Sequence, residues 1–344
     1  MIPDLWRDDG PAPASEEAIL ALADAAFPSR SPHVPFGRGH DCAELVRPAG
    51  GDAGRMVLST DLFLQDVHFR TAYFLPEETG GKALSAATGD LAAAGALPLG
   101  FALSLMLPPG TSASVIARIF SGMASRARDY GMVLAGGDLS ASPIIGFSIT
   151  VWGAPACPGA PFLRRGRAAS GDLVFVAGPC GPARAGLWAL EKYGRAAMDI
   201  LPESCRAHLD PRPLLREGRA LARLAEQHGA EGRISLMDVS DGPARDLPRL
   251  LGGRGADLDI APEMLHPELA TAAGLMHTSP EDLFLRGGED YALLGACPEA
   301  LWPEVRAAVP GAARLGRVRP EKGLRVRGVP CKPRGFDHFI RTRC

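Results

Sequence analysis

Glycine and proline recur along the whole chain, and that punctuation limits what it can fold into. The 344 residues include 41 glycines and 31 prolines, about a fifth of the total, spread throughout rather than clustered. Such spacing fits many short elements joined by tight turns and argues against a low-complexity linker. Length favours two domains, because single cores seldom grow past about 250–300 residues. The hydrophobic fraction of 46% and the charged fraction of 22% are those of an ordinary globular chain, not a disordered one.

Charge and cysteine usage narrow the function classes. Thirty-seven basic against 39 acidic residues give a net charge of -2, with no run of five like charges. Duplex-binding proteins usually carry a basic excess or stripe, so nucleic acid is not expected as a partner. The seven cysteines (Cys42, Cys157, Cys180, Cys205, Cys297, Cys331 and Cys344) are odd in number and never spaced as C-x-x-C. That disfavours a disulfide framework or a zinc knuckle and makes a reducing cytoplasm the expected compartment. Residues 1–10 hold Asp4, Arg7, Asp8 and Asp9 and no apolar core, so no signal peptide is read there. The uncharged stretch 91–109 approaches bilayer length, but Gly95, Pro98 and Gly100 interrupt it. A helix-to-strand passage inside a core is the expectation, with no membrane association.

Periodicity outlines the elements. Ser15–Phe27 reads as a helix capped by Ser15, Met56–Thr60 as a strand running into Asp61, and Glu77–Gly95 as an alanine-rich helix. Leu99–Leu107 is strand-like. In Thr111–Tyr130, Val115, Ile116, Ile119, Phe120, Met123, Ala127 and Tyr130 recur at helical spacing. Ile144–Trp152 is a strong β run. Composition then shifts to Pro, Gly, Ala and Arg over Gly153–Gly171, which places a boundary between domains 1–153 and 154–344. A second set follows: strands at Asp172–Ala177, Ile234–Met237, Tyr291–Cys297, Ala312–Val318 and Leu324–Val329, with helices at Pro182–Tyr193, Leu214–His228 and Pro243–Leu251. The fold class is therefore α/β or α+β.

Familiar nucleotide and hydrolase signatures are missing. There is no G-x-x-x-x-G-K-[ST], no G-x-G-x-x-G after a strand, no H-E-x-x-H and no G-x-S-x-G. What remains is a series of aspartates at strand ends or turns beside Gly, Ser or Thr: Asp41, Asp61, Asp90, Asp138, Asp238 and Asp241. Singly, each reads most simply as an N-cap or turn residue. Converging in one cleft, they would repel strongly unless cations offset them. Mg²⁺ suits that role, being hard, oxygen-liking and usually shared between carboxylates and substrate phosphates. Ser59, Thr60 and Ser240 would add hydroxyl oxygens.

The same segments carry a family resemblance. In order, Gly39-His-Asp-Cys-Ala, Ser59-Thr-Asp61 with His68-Phe69, Gly81-Lys-Ala-Leu through Gly89-Asp-Leu-Ala-Ala-Ala-Gly95, and Gly136-Gly-Asp138 resemble thiamine-monophosphate kinase. So do Arg165 with Gly171-Asp172, Asp238-Val-Ser-Asp-Gly242, Gly287-Gly-Glu-Asp-Tyr291 and Gly335-Phe-Asp-His-Phe339. The eight blocks run from about residue 36 to residue 339, and the kinase belongs to the superfamily of aminoimidazole-ribonucleotide synthetase. The resemblance implies a two-domain fold whose N-terminal sheets pair across a homodimer into a barrel, with a C-terminal αβ domain completing the nucleotide and substrate cleft. It implies ATP-dependent phosphorylation of thiamine phosphate to thiamine diphosphate. Asp41, Ser59, Thr60, Asp61, Asp90, Asp138 and Asp238 would hold several Mg²⁺ ions around the triphosphate, and Asp241 a further one, with Asp61, Asp90 and Asp138 nearest the chemistry. Gly137, Asp138, Arg165 and Ser240 would touch ATP; His68, Glu289 and Phe336 would contact thiamine phosphate.

Each of these has a plainer reading beside it. His68 fits a packed histidine, Glu289-Asp290 a solvated turn, Phe336 a core aromatic, and Arg165, beside Arg164, a solvated face. The chain also departs from the family pattern. His40 stands where members carry an aspartate, Gly181-Pro182-Ala183 where they carry Gly-Asp-Ser, Leu139 for threonine and Pro243 for leucine. Two other functions stay open: a related ATP-dependent enzyme with another small acceptor, and a nucleotide-binding homologue that has lost turnover. The terminal Cys344 invites the first, since the hydrogenase-maturation relative also ends in cysteine. His40 and Pro182-Ala183 invite the second.

Overall fold

A computed structural model of the chain describes Gly10 and residues 16–27, 55–229 and 233–332. Asp41, Phe336, His40, Cys344 and the expected cap Ser15 lie outside the described residues. The described residues form two compact units, one of residues up to 91 with 97–158, the other of residues 92–96 with those from 159 onward.

The first unit is a four-stranded sheet backed by helices. In chain order it holds α1 (Glu16–Ala26), β1 (Val57–Leu64), α2 (Pro76–Ala93), β2 (Leu97–Leu107), α3 (Ala113–Tyr130), β3 (Val133–Ala141) and β4 (Gly146–Ala154). The strand order is β1-β4-β2-β3, antiparallel except for the β2–β3 pair. The spacing of α3 is realised as expected. Val115, Ile116, Ile119, Phe120, Met123 and Ala127 are buried, Ser112 caps the start through the Val115 N–H, and Gly131 ends it in the left-handed region. Helices α2 and α3 cross with their backbones nearly touching. A Cβ on Gly80 would overlap the Ile119 carbonyl, and one on Gly122 the Glu77 carbonyl. Phe63, Phe69, Phe74, Phe101 and Phe147 fill the core, with Phe63 stacked on Phe69 at 5.2 Å between ring centroids. Strand β1 alternates. Phe63 is buried, whereas Leu58 and Leu62, of opposite parity, are 74% and 56% exposed.

The uncharged stretch 91–109 is the end of α2, a turn at Gly95 and strand β2. Among the described residues, no helix is long and apolar enough to cross a membrane.

The second unit is a seven-stranded mixed sheet. It contains β5 (Leu173–Ala177), α4 (Pro182–Tyr193), α5 (Pro202–Leu209), α6 (Leu215–Gln227), β6 (Ser235–Asp238), α7 (Pro243–Leu250), β7 (Gly255–Leu258), α8 (Glu268–Met276), α9 (Pro280–Arg286), β8 (Leu293–Cys297), α10 (Trp302–Ala308), β9 (Ala312–Arg319), β10 (Leu324–Val326) and β11 (Val329–Cys331). The strand order is β11-β10-β7-β9-β5-β8-β6. Its core joins Val174 and Val176 to Met237, Val239, Leu247 and Phe284. The single strand expected over Leu324–Val329 is instead a hairpin. Arg327 and Gly328 both take positive φ, 49° and 82°, the backbone that a tight two-residue turn requires. The five described cysteines are free thiols.

Candidate functional site

In the first unit, strand parity and one helix turn bring an acidic pair together. Ser59 and Asp61 alternate on β1 and share a face. Asp90 sits inside α2, and the Ser59 hydroxyl donates to its Oδ2. Burial, with the charge of Asp90 adding to it, pushes the Asp61 carboxyl up to about 6. Thr60 has the opposite parity, and its Oγ1 lies 2.9 Å from Thr150 Oγ1.

The cross-strand register sorts the Gly136-Gly-Asp block. The row from Asp61 runs through Ile149 and Leu103 to Gly137, whereas the row ending at Asp138 starts at Leu62 and passes Ser148 and Ser104. Asp138 is thus one step out of the Asp61 row; it is exposed and accepts the Leu139 N–H at 2.9 Å. Among the described residues, no three His, Cys, Asp or Glu side chains meet as a cation site. Sequence reading placed these aspartates at strand ends or turns. Asp61, Asp90 and Asp138 instead lie within β1, α2 and β3. Just past the end of β1, His68 accepts the Leu64 N–H on Nδ1 at 3.0 Å and stacks on Phe63 at 5.6 Å. With Nδ1 an acceptor, a neutral ring carries its proton on Nε2.

In the second unit, two motifs far apart in sequence are knitted by backbone. The turn after β6 and the loop before β8 exchange hydrogen bonds: Glu289 N–H donates to Ser240 at 2.9 Å, Tyr291 N–H to Val239 at 3.1 Å, and Val239 N–H to Ala292 at 2.8 Å. Glycines permit the approach. A Cβ on Gly242 would lie 2.5 Å from the Gly287 carbonyl oxygen, and one on Gly287 2.6 Å from the Gly181 Cα. Gly181 and Gly242 also hold φ near +100°, where a side chain would be strained. Three separate blocks therefore meet through residues without side chains.

Carboxylates then lock the turns. Asp246, fully buried, accepts the N–H groups of Ser240, Asp241 and Gly242 at 3.2, 3.0 and 3.0 Å. Burial pushes its carboxyl up to about 6, against the opposing hydrogen bonds and Arg249. Asp290 accepts from Gly181 N–H at 2.7 Å and Ala183 N–H at 2.8 Å, capping α4 where Gly181-Pro182-Ala183 supplies no side chain. Asp241, expected at a metal, is engaged by Arg249 at 2.8 Å and Arg245 at 3.3 Å. Asp238 is buried at the end of β6, Ser240 is half-buried and Arg165 is exposed. Glu289 takes φ +64° and pairs through Oε2 with His208 Nδ1 at 3.2 Å.

Residues 39–154 match the family model "AIR synthase related protein, N-terminal domain". A thiamine-monophosphate kinase of Aquifex aeolicus is 31% identical over 83% of this chain and 88% of its own length. The chain belongs to the thiamine-monophosphate kinase family. The Mycobacterium tuberculosis member is 34% identical over 82% of this chain and 81% of its own. The solved complex "AaThiL complexed with AMPPCP and TMP" superposes with TM-score 0.72 at 30% identity, over 83% of this chain and 87% of that one. The hydrogenase maturation protein HypE of E. coli, 20% identical over 94% of this chain and 97% of its own, shares the fold at TM-score 0.70.

Within this kinase fold, sequence reading missed Asp246, Asp290 as a cap, and His208. Asp246 carried one signal, a carboxylate four residues after a glycine turn that opens a helix. His208 carried none, because its helix was not recognised.

Proposed function

We propose that the chain transfers the γ-phosphoryl group of ATP directly to the phosphate of thiamine phosphate, giving thiamine diphosphate. The observation that carries this is the likeness, over most of the chain, to a kinase solved with AMPPCP, an ATP analogue, and TMP. The acceptor is a phosphate monoester whose second pKa is about 6, so near neutral pH its oxygen is already largely deprotonated. The reaction then needs no general base; in-line positioning and electrostatic stabilisation suffice.

The donor set fits a hard divalent cation. Asp61 and Asp90 are carboxylates close enough to raise the proton affinity of Asp61, and the Ser59 hydroxyl adjoins them. Asp41, Ser59, Thr60, Asp61, Asp90, Asp138, Asp238 and Asp241 are the proposed Mg²⁺ ligands. Bound Mg²⁺ would neutralise charge on the triphosphate. Gly137, Asp138, Arg165 and Ser240 are proposed to bind ATP, and His68, Glu289 and Phe336 to bind thiamine phosphate. In the region 1–153, the exposed sheet face with Leu58 and Leu62 supports pairing with a second copy, as a homodimer barrel would need.

An assay with ATP, Mg²⁺ and thiamine phosphate tests the reading. Thiamine diphosphate formation supports it. ATP turnover only with another acceptor would favour a related enzyme, and tight nucleotide binding without turnover a homologue that has lost catalysis. Trapping a labelled phospho-aspartate during turnover would overturn direct transfer.

A further inference from the structure

Helix α5 is fastened along its length in a way that leaves one end directed at Glu289. At its start, Pro202 occupies the first turn, and the Glu203 and Ser204 N–H groups donate to the Glu268 carboxylate at 3.0 and 2.7 Å. That capping holds the Glu268 carboxyl below its usual range, despite the opposing burial. Along its side, Gly186 of α4 packs so closely that a Cβ would overlap the Ser204 carbonyl. The helix is thereby fixed against sliding without help from residue 289. At its other end stands His208, 1% exposed, whose Nδ1 meets Glu289 Oε2 at 3.2 Å.

Glu289 is held just as firmly by its backbone. It takes φ +64°, a left-handed conformation uncommon for a non-glycine residue, and its N–H donates to Ser240. Its neighbour Asp290 is tied to the α4 N-terminus, and Tyr291 is also left-handed at φ +50°. With the backbone fixed, the freedom left to Glu289 is in its side chain. The side chain is 26% exposed, so one part faces the buried imidazole while another reaches solvent.

We infer that His208 is a positioning residue. It donates Nδ1–H to one carboxylate oxygen of Glu289 and so presents the other to the substrate. The inference rests on the proposed reading of Glu289 as a thiamine phosphate contact. The chemistry suits the thiamine end of that substrate, whose thiazolium ring is permanently cationic and whose pyrimidine carries an amino donor; a carboxylate attracts both and repels the phosphate. His208 therefore governs affinity for the acceptor, not the transfer step or ATP.

Steady-state kinetics of the full chain test this with His208→Ala, His208→Asn, His208→Gln and Glu289→Gln. Asn places its amide nitrogen near the Nδ1 position, whereas Gln places it near Nε2. His208→Ala is expected to raise KM for thiamine phosphate about tenfold, with kcat and KM for ATP within about twofold. His208→Asn should recover the parental KM and His208→Gln should not. In the Glu289→Gln background, His208→Ala should add nothing further. If the alanine variant does not fold, the Asn and Gln pair carries the same comparison, and equal KM values for the two overturn the proposal. An additive His208 effect, or a loss of kcat at unchanged KM, also overturns it. Should Glu289→Gln itself leave KM for thiamine phosphate unchanged, the contact reading of Glu289 fails first and the inference falls with it.

Discussion

Asp61 carries its charge under two penalties, burial and the neighbouring Asp90, which together move its carboxyl from 3.8 to about 6. Two outcomes follow. A cation at this pair must displace a proton at acid pH, so apparent Mg²⁺ affinity should fall about tenfold per pH unit below 6 and level off above it. Initial rates against Mg²⁺ from pH 5 to 8 check this, with higher Mg²⁺ moving the acid limb to lower pH. The second concerns stability without divalent cations. The folded state holds a proton that the unfolded chain releases, so this group's contribution to stability is present below pH 3.8 and lost as pH rises through 6. Asp61→Asn removes that penalty. At pH 8 with chelator it should melt a few degrees higher than the parent while losing turnover. Asp61 and Asp90 were legible in sequence as members of an acid-rich set. Asp246 and Asp290 were not, because their roles lie in accepting N–H groups from turns that only the folded backbone brings to them.

At the level of elements, legibility tracked length and periodicity. Helix α3 matches its expected span to within two residues, since six of its seven expected apolar positions are buried along one face. Strand β3 was missed because Gly136-Gly-Asp138 resembles a turn when read locally; its pairing with β2 makes it a strand. Short helices such as α5 and α9 begin at proline and span eight and seven residues, too few for a period to register. The departure at Gly181-Pro182-Ala183 has a structural answer at this scale. Pro182 needs no N–H partner, and Asp290 supplies the cap from another segment. Asp290→Ala strands the Gly181 and Ala183 N–H groups and should destabilise the chain by ~1–2 kcal/mol, read from urea unfolding.

At the scale of the whole molecule, the described residues leave two large apolar side chains of one strand exposed. Leu58 and Leu62 lie on β1 at 74% and 56% exposure, on the face opposite the buried Phe63. The strand is legible in sequence, but not which of its faces is exposed, because Ser59 and Asp61 share the parity of buried Phe63 and no pattern reveals on which side helices settle. The proposed pairing through this face predicts that Leu62→Glu lowers the sedimentation coefficient toward that of a monomer and reduces turnover with it. The meeting of Gly181, Gly242 and Gly287 has a consequence in time. The Gly242–Gly287 contact joins positions 45 apart and the Gly181–Gly287 contact positions 106 apart, and such closures lag behind local helix formation. Ser240, a proposed ATP contact, lies in this junction, so after dilution from urea far-ultraviolet ellipticity should recover before binding of an ATP analogue does. Simultaneous recovery of the two signals would contradict that order.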